Sequence, residues 1–338
     1  MSTAPAPASP VPPTRSAALS VILVTPDDYE TIRKTVCHLR KQKAADRMEL
    51  LIVAPGRESL GMDEEELGVF AAWDVIEVGV IRTLASVKAL AIRQARAPVI
   101  VQAEDHSYPG PNWAEALIAT HGQGYAVVGP AVKNANPATF LSWANYLMHF
   151  GAWADGIVGV GEVEQVAWHN CSYRRDLLLA YGDDLPRLLA VESALQENIR
   201  RNGHRIFLAA DVVTSHVNIS DPRTAFSHHF CGGRLFAATR AHEGGWPPWK
   251  RLIYFCGAPL IPLVRFPRLL GHIARYKQRK QLLPGILFPM AVALFCHAAG
   301  EAIGYAFGIG NAEEQYSRFE MRRIDHLCAR DRESGRAR

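Results

Sequence analysis

The apolar positions of the first half alternate between two periods. Leu19–Val24 (LSVILV) is a short run of mostly branched apolar residues, as expected for a buried strand. Residues 31–42 follow with Ile32, Val36 and Leu39 at helical spacing. Residues 50–53 and 75–80 read as the second and third strands. Residues 84–96 read as a helix with Leu84, Val87, Leu90 and Ala91 on one side, and 98–102 (PVIVQ) as a fourth strand. Strands alternating with helices at this spacing predict βαβ units in a mostly parallel α/β sheet. In such sheets ligands bind beyond the carboxyl ends of the strands. Further on, 109–121 reads as a helix, 125–129 as a strand, 139–153 as an aromatic-rich segment and 176–180 as a short helix. A clear helix over 191–202 is stopped by Gly203, and two short strands (206–209, 212–214) lead to His216.

The pattern changes after about Gly245. Residues 252–264 (LIYFCGAPLIPLV) are apolar but short and interrupted by proline for a membrane span. Arg265, Arg268, Arg275, Lys277, Arg279 and Lys280 follow, then 282–300 without any charge, then a polar, Arg-rich tail beyond Gln315. Basic residues on both flanks, with Pro284 and Pro289 inside, predict an interfacial or re-entrant helical hairpin rather than one straight span. The expected division is a leader over 1–16, an α/β domain over 17–240, a membrane-associated helical region over 241–310 and a polar basic tail over 311–338.

Composition narrows this further. The chain has 338 residues, 49% hydrophobic and 21% charged, which excludes a disordered, collagenous or coiled-coil chain. A formal charge of +4 is too mild to argue for nucleic acid, and none is expected as a partner. Cys37, Cys171, Cys231, Cys256, Cys296 and Cys328 form no CxxC pair, which argues for reduced thiols in a cytoplasmic setting. MSTAPAPASPVPPT at the start lacks the apolar stretch of a signal peptide, so the domain is expected on the cytoplasmic face of the plasma or inner membrane.

Chemistry is expected just after the fourth strand, at Glu104-Asp105-His106. Residues two apart at a strand end point the same way, so Glu104 and His106 can share one cation while Asp105 turns aside. Mixed oxygen and nitrogen ligands suit Mn2+ or a similar ion, bound with few protein ligands and with phosphate oxygens. Read alone, the triplet is equally a polar exit from a strand. His216 joins it only if the fold brings it to His106. Glu192 opens a helix, where a carboxylate complements the dipole or, facing the same cleft, acts as a general base.

These pieces occur in a familiar order. From about residue 19 to 216 the chain resembles a family-two glycosyltransferase of the GT-A fold. The resemblance rests on SVILVTPDDYETIRKTVCHLRKQ, PVIVQAEDHSYPGPNW in the place of the strand and DxD motif, HNCSYRRDLL, VESALQENIRRNGHRIFL in the place of the acidic helix, and DVVTSHV. A narrower bacterial subset carries EDH for DxD. It is matched to almost full length through KNANP (133–137), GGRLFA (232–237) and GAPLIPLVR (257–265). The resemblance implies a Rossmann-like mixed sheet with helices on both faces and C-terminal membrane-associated helices. It also implies a nucleotide-sugar donor, Mn2+ or Mg2+, and a lipid-linked or surface-glycan acceptor of polysaccharide or glycolipid biosynthesis.

By position, the resemblance makes Glu192 the catalytic base of an inverting displacement and Glu104, His106 and His216 the metal ligands. It places Thr25, Asp27, Lys88, Glu104 and Asp105 on the donor, and Asn170 and Arg174 on the acceptor side. Ala54-Pro55-Gly56 stands where the family has Asp-Asp-Gly-Ser, and no QxxRW motif is present, which argues against processive synthesis. His228 and His229 read as an exposed polar helix start, Arg234 as a solvated position, and Trp246 and Trp249 as an interfacial anchor or as packing under a loop. The alternative to an enzyme is a catalytically weak sugar-nucleotide-binding or scaffolding protein on the same fold. A nucleotidyltransferase would want a glycine-rich loop after the first strand, and TPDDY has no glycine.

Overall fold

The computed structural model describes residues 16–157, 159–276 and 279–336. All of the expected leader but Ser16 lies outside the described residues. Among the described residues nine strands form one sheet: β1 (Leu19–Val24), β2 (Met48–Ala54), β3 (Ala72–Glu77), β4 (Val99–Gln102), β5 (Ser107–Pro109), β6 (Val127–Asn134), β7 (Gly161–Val163), β8 (Ser172–Arg174) and β9 (Ile206–His216). The order is β3-β2-β1-β4-β8-β6-β9-β5, with β7 pairing β9. The long ladders β1–β2, β2–β3, β1–β4 and β6–β9 are parallel. The short ones involving β5, β7 and β8 are antiparallel.

Alternation along the strands creates two cores. Leu19, Val21 and Leu23 of β1 with Leu50 and Ile52 of β2 face Ile32, Val36, Leu39, Trp113 and Leu117 of the helices Tyr29–Arg40 and Trp113–His121. Ile22 and Val24 with Leu51 and Val53 face Ala89, Ile92, Leu188, Leu195 and Ile199 on the other side. A strand buried on both faces reads as a continuous apolar run, which is why β1 was legible as LSVILV. The result is the mixed, mostly parallel sheet with helices on both faces expected from the sequence.

The departures are local. The two short strands expected after Gly203 are one strand, β9, whose register against β6 shifts between Pro130 and Ala131. A bulge bends a strand and increases its twist. The bend lets β9 pair with β7 at its start and with β5 at its end, which carries His216 opposite Ser107. The helix expected from residue 109 begins only at Trp113, because Ser107–Pro109 is recruited as β5.

The C-terminal third is helical. The long helices Pro222–Glu243 and Arg279–Phe307 cross closely along a seam of small residues. A Cβ at Gly300 would lie 2.0 Å from the Phe230 carbonyl oxygen, and one at Gly233 would lie 2.1 Å from that of His297. Pro284 and Pro289 were expected to break a regular helix, yet Arg279–Phe307 is continuous and contains both. The apolar run at 252–264 is also part of something longer, since Pro248–Gly257, Ala258–Leu260 and Ile261–Ala274 follow one another directly. Pro259 and Pro262 sit in first turns, where their missing N–H is not needed. Two stretches, Pro248–Ala274 and Lys280–Phe307, are thus long and apolar enough to cross a membrane by length and composition.

The segment read as a polar tail is folded. Helix Ala312–Glu320, the turn Arg323–His326 and helix Ala329–Arg336 lie against the strand ends. Ser317 Oγ accepts from the Leu84 amide at 3.1 Å, and the fully buried Asp331 accepts from the Ala138 amide at 3.1 Å.

Candidate functional site

The β4–β8 register assembles the first half of the site. Val99 pairs with Arg174, Ile100 with Tyr173 and Val101 with Ser172. Continued past the strand ends, the same register sets Glu104 opposite His169. Their side chains are in direct contact, Glu104 Oε1 against His169 Nδ1. From the other side β9 delivers His216, whose ring centroid lies 4.9 Å from that of His106 and 4.6 Å from that of His169. Glu104 Oε2 lies 3.3 Å from His106 Nε2 and 3.6 Å from His216 Nε2. Glu320, from the C-terminal segment, adds Oε2 at 3.7 Å from His106 Nε2.

The cluster contains orphaned atoms. Glu104 Oε2, His106 Nε2 and His216 Nε2 are buried without a hydrogen-bond partner. Such atoms carry a desolvation penalty unless something binds them. Asp105 contacts His106 Nδ1, which orients the ring and turns Nε2 toward Glu104. Three carboxylates (Glu104, Asp105, Glu320) against one buried guanidinium (Arg323, paired with Glu320) leave two formal negative charges. Protonated imidazoles or a divalent cation would balance them. Burial opposes ionisation of Glu104, but His169 and His106 outweigh it and hold its carboxyl down to about 2. Burial, with His169 and His106 beside it, keeps His216 well below the usual histidine range. A neutral imidazole and an ionised carboxylate are the ligand forms. The residues present fit a divalent cation, with Glu104, His169 and His216 as one donor group and Glu104, His106 and Glu320 as another.

Glu104 and His169 border a cavity of about 830 Å3. Lys88 and Glu192 line it near the cluster, and Val264, Arg265 and Arg268 line it toward the apolar helices. Glu192 accepts a hydrogen bond from Tyr173 Oη at 3.2 Å. The helix start was expected to favour its charged form. Burial dominates instead and, against the opposing pull of Lys88, pushes the Glu192 carboxyl up to about 8.

Other expected site residues lie elsewhere. Thr25 is fully buried and donates to the Asp28 carbonyl at 2.8 Å. Asp27 is ion-paired with Arg322 of the C-terminal segment at 2.7 Å. Neither borders the cavity. Asn170 adopts a left-handed backbone conformation (φ 54°) and donates to Ser107 Oγ at 2.9 Å, tying the β8 entry to β5. Arg174 is half-exposed and ion-paired with Asp176, two residues on.

His228 and His229 do not lie at an exposed helix start. Their helix begins at Pro222, so they lie inside it, buried against the helices Phe140–Phe150 and Ala312–Glu320. Arg234 is not simply solvated, since its Nε donates to the Gly308 carbonyl at 2.9 Å. Trp246 stacks on Tyr305, while Trp249 is exposed. His169 carries no signal in the sequence, because its pairing with Glu104 arises only from the β4–β8 register. Glu320, at the end of the charged helix Ala312–Glu320, carries none either.

No family model and no curated protein matched the sequence. Among solved structures the chain is similar to the mannosyltransferase PcManGT from Pyrobaculum calidifontis in complex with GDP-Man and Mn2+. The TM-score is 0.49 at 16% identity, over 85% of this chain and 88% of that one. It is also similar to S. aureus TarS 1-349 in complex with UDP (TM-score 0.46, 16% identity, 84% and 90% covered). A third is GalNAc-T7 with UDP, GalNAc and Mn2+ (0.45, 14%, 60% and 44%). Likeness at this level assigns no ligand or residue role, so those rest on the geometry.

Proposed function

We propose that this chain is a metal-dependent glycosyltransferase that moves a sugar from a nucleoside diphosphate donor to a hydroxyl on a lipid-borne acceptor. One observation carries the reading. Unpartnered ligand atoms of Glu104, His106 and His216 meet next to a cavity whose wall holds a carboxylate of raised pKa, Glu192. Titratable groups pushed in opposite directions within one site are the arrangement that acid–base chemistry requires.

Glu104, His106, His169 and His216 would hold the cation, with Glu320 completing the set. When bound, the cation offsets negative charge on a departing diphosphate. Lys88 supplies a fixed positive charge on the same wall. Glu192 takes the proton of the acceptor hydroxyl as that oxygen bonds to the anomeric carbon. The carbon–oxygen bond to the diphosphate breaks on the opposite face, so the configuration inverts. The cavity reaches Val264, Arg265 and Arg268, beside exposed apolar side chains, which fits an acceptor presented from a membrane surface. Mn2+ or Mg2+ and a cytoplasmic membrane face belong to the same reading.

The salt bridge of Arg322 to Asp27 favours a second reading, a protein that binds nucleotide sugars without transferring them, because it occupies an expected donor residue. The test is a panel of nucleoside diphosphate sugars with Mn2+, the full-length protein in detergent and a lipid extract, followed by product detection. Transfer of label into lipid supports the enzyme. Donor binding without transfer or donor hydrolysis would replace it with the second reading.

A further inference from the structure

We propose that His149, His228 and His229 form a second divalent-cation site, made of nitrogen donors and joined through Glu320 to the first. One ring nitrogen from each of the three lies within 4.8 Å of the others. The rings come from two helices, Phe140–Phe150 and Pro222–Glu243, and His149 packs against both neighbours at centroid distances of 5.5 and 5.1 Å. The site stands independently of the proposed transfer reaction.

The hydrogen bonds around the rings favour ligation. His149 Nδ1 donates to the Asn145 carbonyl at 2.8 Å. His228 Nε2 donates to Glu320 Oε1 at 2.9 Å. His229 Nε2 donates to Asn145 Oδ1 at 2.5 Å, and the Asn145 amide is oriented by its own Nδ2 donating to the Ile219 carbonyl at 2.6 Å. Each ring thus has one N–H held by an oxygen, which leaves the other nitrogen as a lone-pair donor. Metal-binding histidines show this outer arrangement, because it fixes both tautomer and orientation. Burial keeps the rings in the neutral form, with His149 held down to about 3.

All three rings line the cavity of about 830 Å3, so a cation held by them keeps an open coordination position. Three imidazoles without a carboxylate suit Zn2+ or Co2+ better than Mg2+ or Mn2+, whereas the first site adds the carboxylates of Glu104 and Glu320 to its imidazoles and so also accepts harder ions. Glu320 links the two, with Oε1 at His228 and Oε2 at His106. The competing explanation is aromatic packing alone, since His228 stacks on Tyr316 at 4.6 Å and His149 on His229.

The test uses the full-length protein in detergent, titrated with Co2+ after loading with Mn2+. Bound metal is counted after dialysis and the visible absorption of the cobalt is recorded. One equivalent of Co2+ is expected, with the intense absorption of a low-coordinate nitrogen site. His149→Ala and His229→Ala should lose that equivalent while retaining Mn2+, which also shows that they are folded. His216→Ala should lose Mn2+ and keep the cobalt absorption. Wild-type protein that takes up no Co2+ after Mn2+ loading would overturn the site, as would unchanged absorption in folded His229→Ala.

Discussion

Glu104 and His169 stand 65 residues apart in the chain and meet because the antiparallel β4–β8 register, continued past both strand ends, makes them partners. His169 is therefore as firmly placed as a strand residue, although it lies outside any strand. A ligand positioned by sheet register is held by two backbones at once, which is what a preorganised metal site needs.

His169→Ala should lower Mn2+ affinity by at least ~10²-fold, since loss even of outer-shell partners costs ~10–100-fold. Asn170→Ala should have a smaller effect, because Asn170 holds the backbone through Ser107. Titration calorimetry with Mn2+ distinguishes them. Equal affinities for wild type and His169→Ala would remove His169 from the site.

Glu192→Gln keeps the shape of the side chain and removes its basicity. Transfer should fall by ~10²–10⁴-fold, with Mn2+ and donor binding nearly unchanged. In the wild type, activity should rise with pH and level off above about 8, because the proposed base must be ionised. Stability has the opposite sign. The folded value of about 8 lies above the usual 4.5, so stability is greatest below pH 4.5 and is lost as pH rises toward 8. The Gln variant escapes that loss. Its advantage in thermal melts should grow between pH 5 and pH 8, reaching ~1–2 kcal/mol because the carboxyl borders an open cavity. A flat pH profile, or normal turnover in the variant, would leave Glu192 with a structural role only.

How far the sequence carried this picture follows from the range of its signals. β1, β2 and the helices over 29–40 and 84–94 were visible because their apolar periods are local. Glu104, His106 and His216 were visible as polar residues at strand ends, yet their meeting depends on the β9 bulge, which no period reports. Glu320 was hidden, since a glutamate in a charged segment looks like any solvated residue until the segment docks. His228 and His229 were misread because their helix starts at Pro222, where an aspartate N-cap precedes a proline at the first helical position. That signal was present in the sequence and would have placed them inside the helix.

Glu320→Gln separates structure from ligation. Breaking its buried pair with Arg323 should destabilise the fold by ~3–5 kcal/mol, since a buried guanidinium is left without its partner. The double variant Glu320→Gln/Arg323→Met removes that uncompensated charge and should recover much of the stability. Mn2+ affinity should stay reduced in both. If the double variant binds Mn2+ like the wild type, Glu320 is a packing residue and the ligand set ends at the sheet.

Gly300 tests the seam that docks the C-terminal helices. A Cβ there would sit 2.0 Å from the Phe230 carbonyl oxygen, so Gly300→Ala must push two backbones apart. Overpacking of this kind typically costs ~1–3 kcal/mol, and Gly300→Val should cost more. Gly271, where an added Cβ meets nothing within 4 Å, is the control. Denaturant unfolding of the three variants should rank Gly271→Ala, Gly300→Ala, Gly300→Val in rising loss. Equal midpoints for Gly300→Ala and Gly271→Ala would mean that the helices do not rely on close approach.

The exposed apolar side chains of the two long C-terminal stretches make the last prediction. Trp249, Leu263, Phe288, Phe295 and Phe307 are each at least 60% exposed. A soluble surface rarely carries large apolar side chains in such number on neighbouring helices, and a membrane interface is the surface that would cover them. Arg268 and Arg275 follow the first apolar run and are exposed, where they would meet anionic headgroups. The full chain should therefore sediment with vesicles, more strongly with anionic than with neutral lipid, and the difference should shrink at high salt. Leu263→Glu/Phe288→Glu removes two apolar contacts worth ~1.5–3 kcal/mol each, so vesicle affinity should fall by ~10²-fold or more. Both positions are exposed and distant from the Glu104 cluster in the chain, so Mn2+ affinity in detergent should be unchanged. A full-length protein that stays in the supernatant with anionic vesicles would break the link between this apolar surface and a lipid-borne acceptor, while leaving the metal cluster untouched.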